Sequence, residues 1–199
     1  MVDYFALLQQ PRRPWLDEAS LRQQFQSLSS KVHPDHLNSA TQEEKVRANQ
    51  SFAELNAAFS CLRSPHTRAR HLVELELGGR PGDLENVPNE LATAFMKIAS
   101  VSRQTEKFGA ERVRIQSPLL LAEFFERIQP HLALIEELQR EIAAMYAAAL
   151  DRLQALDAVW VKSENHDVEL PKLGELAQEL GFLARWQAQL QEAHIRLMP

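Results

Sequence analysis

The chain has 199 residues, enough for one compact domain or two small ones. Hydrophobic residues at 45% and charged residues at 25% exclude a wholly disordered chain, and 6 Gly with 10 Pro exclude a collagen-like or linker-dominated one. The net charge of −5 divides unevenly: 9 basic against 8 acidic residues through Leu75, then 13 against 19, so neither part has the basic excess that binding to a phosphate backbone requires.

A short leading helix is expected around Tyr4–Leu8. Leu21, Phe25, Leu28 and Val32 then recur at spacings of four, three and four, one face of an α-helix. Pro34 ends that helix, because proline biases the residue before it away from helical dihedrals. Thr41-Gln42-Glu43-Glu44 reads as a capping box, and the helix it opens carries Phe52, Leu55, Phe59 and Leu62 on one stripe before stopping near Ser64-Pro65. Two such helices joined by a short loop form an antiparallel hairpin.

Gly78-Gly79-Arg80-Pro81-Gly82-Asp83 holds three of the six glycines and reads as a linker. The expected division is therefore a first domain over 1–77, a linker over 78–89 and a second domain over 90–199. The second is helical again. Leu91, Phe95, Ile98, Val101, Ser102, Thr105 and Phe108 define an inward face. Ser117-Pro118 is a helix start, followed by a periodic segment to about Trp160 in which Pro130 predicts a kink or a restart. Residues 161–171 read as a loop. Leu173, Leu176, Leu180, Leu183, Leu190 and Leu197 line a final helix. The fold class expected is all-α, with a helical hairpin followed by an antiparallel three-helix bundle.

No apolar stretch approaches the roughly 20 residues of a membrane span, and the first residues lack a basic region followed by an apolar run. The lone Cys61 can form neither an internal disulfide nor a cysteine-based metal site, and it reads as a half-buried structural thiol. A cytosolic protein with no membrane and no nucleic-acid partner is expected. The alanine-rich run Met145–Leu150 reads as a close helix-packing face.

Function concentrates in the first loop, where His33-Pro34-Asp35 holds an imidazole and a carboxylate on a rigid turn beyond the helix. Neither group has a partner that would activate a nucleophile, so the turn suits docking better than catalysis. By itself the tripeptide reads first as a proline-terminated helix with two solvated side chains. In context the chain resembles the J-domain family, whose signature is this tripeptide in this loop. Leu28, Lys31 and Val32 precede it, and Leu55-Asn56-Ala57-Ala58-Phe59 and Leu62-Arg63-Ser64-Pro65 follow at the family's spacing. The opening Asp3-Tyr4-Phe5, the pair Arg68-Ala69 and the C-terminal bundle further resemble the HscB-type co-chaperones of iron–sulfur cluster assembly.

The resemblance implies a non-enzymatic co-chaperone that docks on an HscA-type heat-shock chaperone through His33, Pro34 and Asp35, with Arg22 and Lys31 on the preceding helix. That helix usually carries many cations; here Gln23, Gln24, Gln26 and Ser27 are uncharged, which slows encounter with an acidic partner. His36 stands where lysine is common. The resemblance also implies that an exposed bundle face holds the scaffold protein IscU. At roughly 100° per residue, Met96, Ser100, Arg103 and Lys107, with Ala99 at the edge, turn away from the core stripe and match the family's client face. Arg103 and Lys107 stand where that family has acids. Phe182 points roughly 130° from the stripe of the last helix, with Trp186 one turn on. It matches a family position for scaffold binding, or else packs on the connecting loop or the first domain.

Two other functions fit the residues less fully: a J-protein of a general DnaK-type chaperone with a different client, and a small metal-dependent hydrolase using His33, His36 and Asp35. No further ligand pair with helical spacing accompanies those histidines, and the cysteine pairs that bind zinc in some relatives are absent. No metal and no cofactor are expected.

Overall fold

The computed structural model of the chain describes residues 1–32, 41–79 and 91–198. Among them are seven α-helices and no strand: α1 (Tyr4–Leu7), α2 (Glu18–Lys31), α3 (Gln42–Arg63), α4 (Pro65–Glu76), α5 (Ala92–Arg112), α6 (Pro118–Trp160) and α7 (Glu169–Leu197). They fall into two compact units, one of Met1–Asp83 with Leu150–Gln178 and one of Leu84–Ala149 with Glu179–Pro199.

In the first unit, local capping sets where each helix begins. The Asp3 carboxylate accepts the Phe5 and Ala6 N–H groups at 2.9 and 3.1 Å, and Asp17 accepts that of Ser20 at 2.7 Å. Thr41 and Glu44 complete the expected capping box, with Thr41 N–H donating to Glu44 at 2.8 Å and Glu44 N–H to Thr41 Oγ1 at 3.3 Å. Helices α2 and α3 pack as a hairpin, with Phe25 stacked on Phe59 at 4.3 Å between centroids. Leu21, Leu55, Ala58 and Leu62 are buried beneath.

Helix α4 follows α3 with no loop, since Ser64 caps both. The Ser64-Pro65 stop is thus also a start: proline cannot continue one helix but suits the first turn of the next. Arg68, Ala69, His71, Leu72 and Val73 of α4 are buried. A Schellman motif ends it, with Gly78 at φ +67°, Gly78 N–H on Leu75 O and Gly79 N–H on Glu74 O.

The residues of α6 and α7 in this unit hold the segment before α2. Asp157, 4% exposed, accepts both arms of the Arg13 guanidinium, Nε at 2.9 Å, and the Trp15 N–H at 3.0 Å. Trp160 donates its indole N–H to Arg12 O at 3.3 Å and stacks on His166. From the other side, buried Arg68 donates to Pro14 O at 2.8 Å and Leu62 O at 2.7 Å.

The second unit is an up-down-up bundle. Lys97 pairs with Glu141 at 2.9 Å, Thr105 with His131 at 2.9 Å, and Glu111 with Arg127. Numbers rising along α5 meet numbers falling along α6, so these two run antiparallel. Ser102 bonds Gln189 and Gly109 lies against Arg196, so α7 runs parallel to α5. Ala94, Ile98 and Val101 of α5, Phe124, Ile128 and Ile135 of α6, and Leu180, Leu183 and Leu190 of α7 form its core.

Three local expectations change. Helix α6 is unbroken through Pro130; buried Phe124, Ile128, Leu132 and Ile135 anchor both flanks, so the lost backbone bond causes no restart. Helix α7 begins at Glu169 rather than after Pro171, because in a first turn the missing proline N–H has no helical partner to lose. Phe95, placed on the inward face by periodicity, is 43% exposed.

Candidate functional site

Two sets of residues carry the functional expectations, one in each unit. In the first, Arg22 and Lys31 lie exposed on α2, Arg22 in an i,i+4 pair with Glu18 at 2.9 Å and Lys31 at the helix's last residue. His33, Pro34, Asp35 and His36, which directly follow, lie outside the described residues. Among the described residues no group of three His, Cys, Asp or Glu side chains could share a metal ion.

Beneath that surface the hairpin is braced by groups with no evident chemistry to perform. His71, 5% exposed, accepts the Tyr4 N–H on Nε2 at 3.2 Å and stacks against Tyr4 and Phe5. Burial lowers its pKa, which Glu74 and Asp3 partly offset and Arg12 reinforces. Burial also pushes the half-buried Cys61 thiol up to about 11, the opposite of what a nucleophile needs.

In the second unit Met96, Ser100, Arg103 and Lys107 are all exposed on α5, with Ala99 half-buried at their edge. Met96 is 65% exposed. Phe182 is half-buried on α7, and its ring lies 5.8 Å from that of buried Trp186. Trp186 in turn lies 6.4 Å from the ring of Phe95, the residue before Met96. Phe182 thus joins α7 to α5 through Trp186. Arg185 sits over the outer face of Phe182 at 4.6 Å.

The periodicity misses Phe95 and Arg185 as members of this surface. Phe95 is roughly 60° from the inward direction set by Ile98, a position that a bulky neighbour can turn either way. Here Trp186 occupies the space on the core side and Phe95 lies over it.

Residues 3–71 match the family model described as the DnaJ domain. This chain contains a J-domain over those residues. Its fold follows that of HscB over nearly its whole length: chaperone HscB from Vibrio cholerae aligns with a TM-score of 0.66 at 21% identity, covering 99% of this chain and 100% of that one. The crystal structure of human co-chaperone protein HscB aligns with a TM-score of 0.63 at 17% identity, covering 96% and 82%. The all-α class, the J-domain and the HscB-like architecture expected from the residues all hold. Among the described residues no helix is long and apolar enough to cross a membrane.

Proposed function

We propose that this J-domain protein is a cytoplasmic, non-enzymatic co-chaperone of iron–sulfur cluster assembly, stimulating the ATPase of an HscA-type chaperone and delivering the scaffold protein IscU to it. The observation that carries the proposal is the J-domain at residues 3–71 within a chain whose fold follows HscB along 99% of its length. In this reading His33, Pro34 and Asp35, with Arg22 and Lys31, contact the ATP-bound chaperone. Contacts made better with its hydrolysis-competent state shift its population toward that state, so the J-domain needs no catalytic group of its own. Residues 1–77 act as the chaperone-docking part, 78–89 as the linker and 90–199 as the client-binding part.

The scaffold face comprises Met96, Ala99, Ser100, Arg103, Lys107 and Phe182, to which the geometry adds Phe95. An exposed apolar cluster beside a buried tryptophan is what an interface anchor requires. The deciding experiment measures steady-state ATPase of an HscA-type and a DnaK-type chaperone with this protein, with and without an IscU-type scaffold. Stimulation of the HscA-type enzyme, enhanced by the scaffold and lost in His33→Gln at unchanged circular dichroism, is the expected result. Stimulation confined to the DnaK-type enzyme would assign the protein to general chaperone work instead.

A further inference from the structure

The apolar cluster on α5 and α7 is framed by cations, in a part of the chain that is otherwise acidic. Beyond Leu75 the sequence has 13 basic against 19 acidic residues. Yet the exposed strip that begins at Met96 continues at i+4, i+7 and i+11 with Ser100, Arg103 and Lys107, all on the side of α5 away from its buried Ala94, Ile98, Val101 and Thr105. Among the described residues the side chains of Arg103 and Lys107 make no salt bridge or hydrogen bond. Arg185 adds a third positive charge, spread over the Phe182 ring, its Nε donating only to Gly181 O of its own helix at 3.3 Å. On α7 the acids flanking Arg185 are Glu179, half-buried and already engaged by another contact, and Glu192, paired with Arg196 at 2.9 Å; on α5 the acid nearest Arg103 and Lys107 is the exposed Glu106. The surface is thus a patch of apolar contact bordered by Arg103, Lys107 and Arg185, none of which is in a salt bridge among the described residues.

We infer that this face takes a partner segment whose apolar anchors are framed by carboxylates, the reverse of the charge pattern that an acid-faced relative would recruit. The inference rests on the scaffold-binding reading above and adds the chemistry of the scaffold's contact. Opposed charges at a rim raise the association rate and exclude wrongly charged partners, while the apolar anchors supply most of the affinity. A cationic partner segment would meet Arg103, Lys107 and Arg185 together and be repelled.

The test titrates the full-length protein with the IscU-type scaffold of the same organism, by calorimetry at low and at moderate salt. Four forms are compared: wild type, Arg103→Gln/Lys107→Gln, Arg103→Glu/Lys107→Glu, and Met96→Ala/Phe182→Ala. Circular dichroism and the melting temperature serve as folding controls. The wild type should bind, and bind more weakly as salt rises. Neutralisation should weaken binding by a few-fold and reversal by about tenfold or more, with the salt dependence flattened. Scaffold binding that is lost in the alanine pair but unchanged by charge reversal would overturn the inference and leave the scaffold reading standing. Failure of the wild type to bind the scaffold would overturn both.

Discussion

Asp157 lies outside both proposed binding surfaces, yet it is a heavily engaged carboxylate of the first unit. It is buried and accepts two guanidinium donors and a backbone N–H from a segment more than 140 positions away. Asp157→Ala should therefore destabilise the protein by about 2 kcal/mol in a denaturant titration; this falls below the 3–5 kcal/mol typical of a fully buried pair because the Arg13 side chain is 35% exposed and can rehydrate. His71 and His131 carry a second consequence. Both have folded pKa values lowered by burial, so the folded state binds fewer protons than the unfolded one near their titration. Their stabilisation is fully present above the ordinary histidine value of about 6.5 and is lost as pH falls below it. The melting temperature should thus drop between pH 7 and pH 5, before the carboxylates Asp3 and Glu44, whose pKa values lie below normal, begin to matter. In Asp3 burial pushes upward, and the Ala6 N–H, Arg12 and the Phe5 N–H together outweigh it. His71→Gln should make the drop shallower; an unchanged slope would remove His71 from its cause.

At the scale of elements, helix ends carry more of the specification than helix interiors. The J-domain's third helix is opened by a reciprocal Thr41–Glu44 cap, and its last helix is closed by Gly78 in the left-handed region. A Cβ at Gly78 would meet nothing within 4 Å, so Gly78→Ala isolates the conformational cost. It should lower stability by about 1 kcal/mol without altering the helical circular dichroism. A loss of several kcal/mol would mean that the α4 terminus carries contacts beyond its own motif. The α5 and α7 helices show the complementary principle. Their buried stripes decide how they pack, which leaves the residues roughly opposite to evolve charge freely, and Arg103 and Lys107 stand on that free side.

At the scale of the whole chain, the J-domain residues share a compact unit with 150–178. A fragment of residues 1–77 keeps the α2–α3 hairpin, its caps and the Arg68 anchors, but loses Asp157, which accepts from Arg13 and the Trp15 N–H, and Trp160, which donates to Arg12 O. It should still stimulate an HscA-type chaperone, because the residues proposed to dock all lie within it. Its melting temperature should be several degrees below that of the full chain, a reduction that a domain of this size feels strongly. A fragment as stable as the full protein would make the Asp157 contacts energetically neutral.

The helices themselves were legible along the chain, because 3.6-residue periodicity, caps and prolines are local properties of neighbouring residues. That is why the capping box, the hairpin stripes and the boundaries near Ser64-Pro65 and Trp160 could be read directly. What surrounds a side chain is not local. Phe95 sits near the edge of its stripe, and only the presence of Trp186 on the next helix decides that it is exposed beside Met96. Pro130 lies inside a helix because flanking core contacts outweigh one missing hydrogen bond. Asp157 is an ordinary acid in a helical run until the fold brings Arg13 and the Trp15 N–H to it. Periodicity assigns each residue a direction; tertiary packing decides what occupies that direction, and burial, pairing and charge all follow from the occupant.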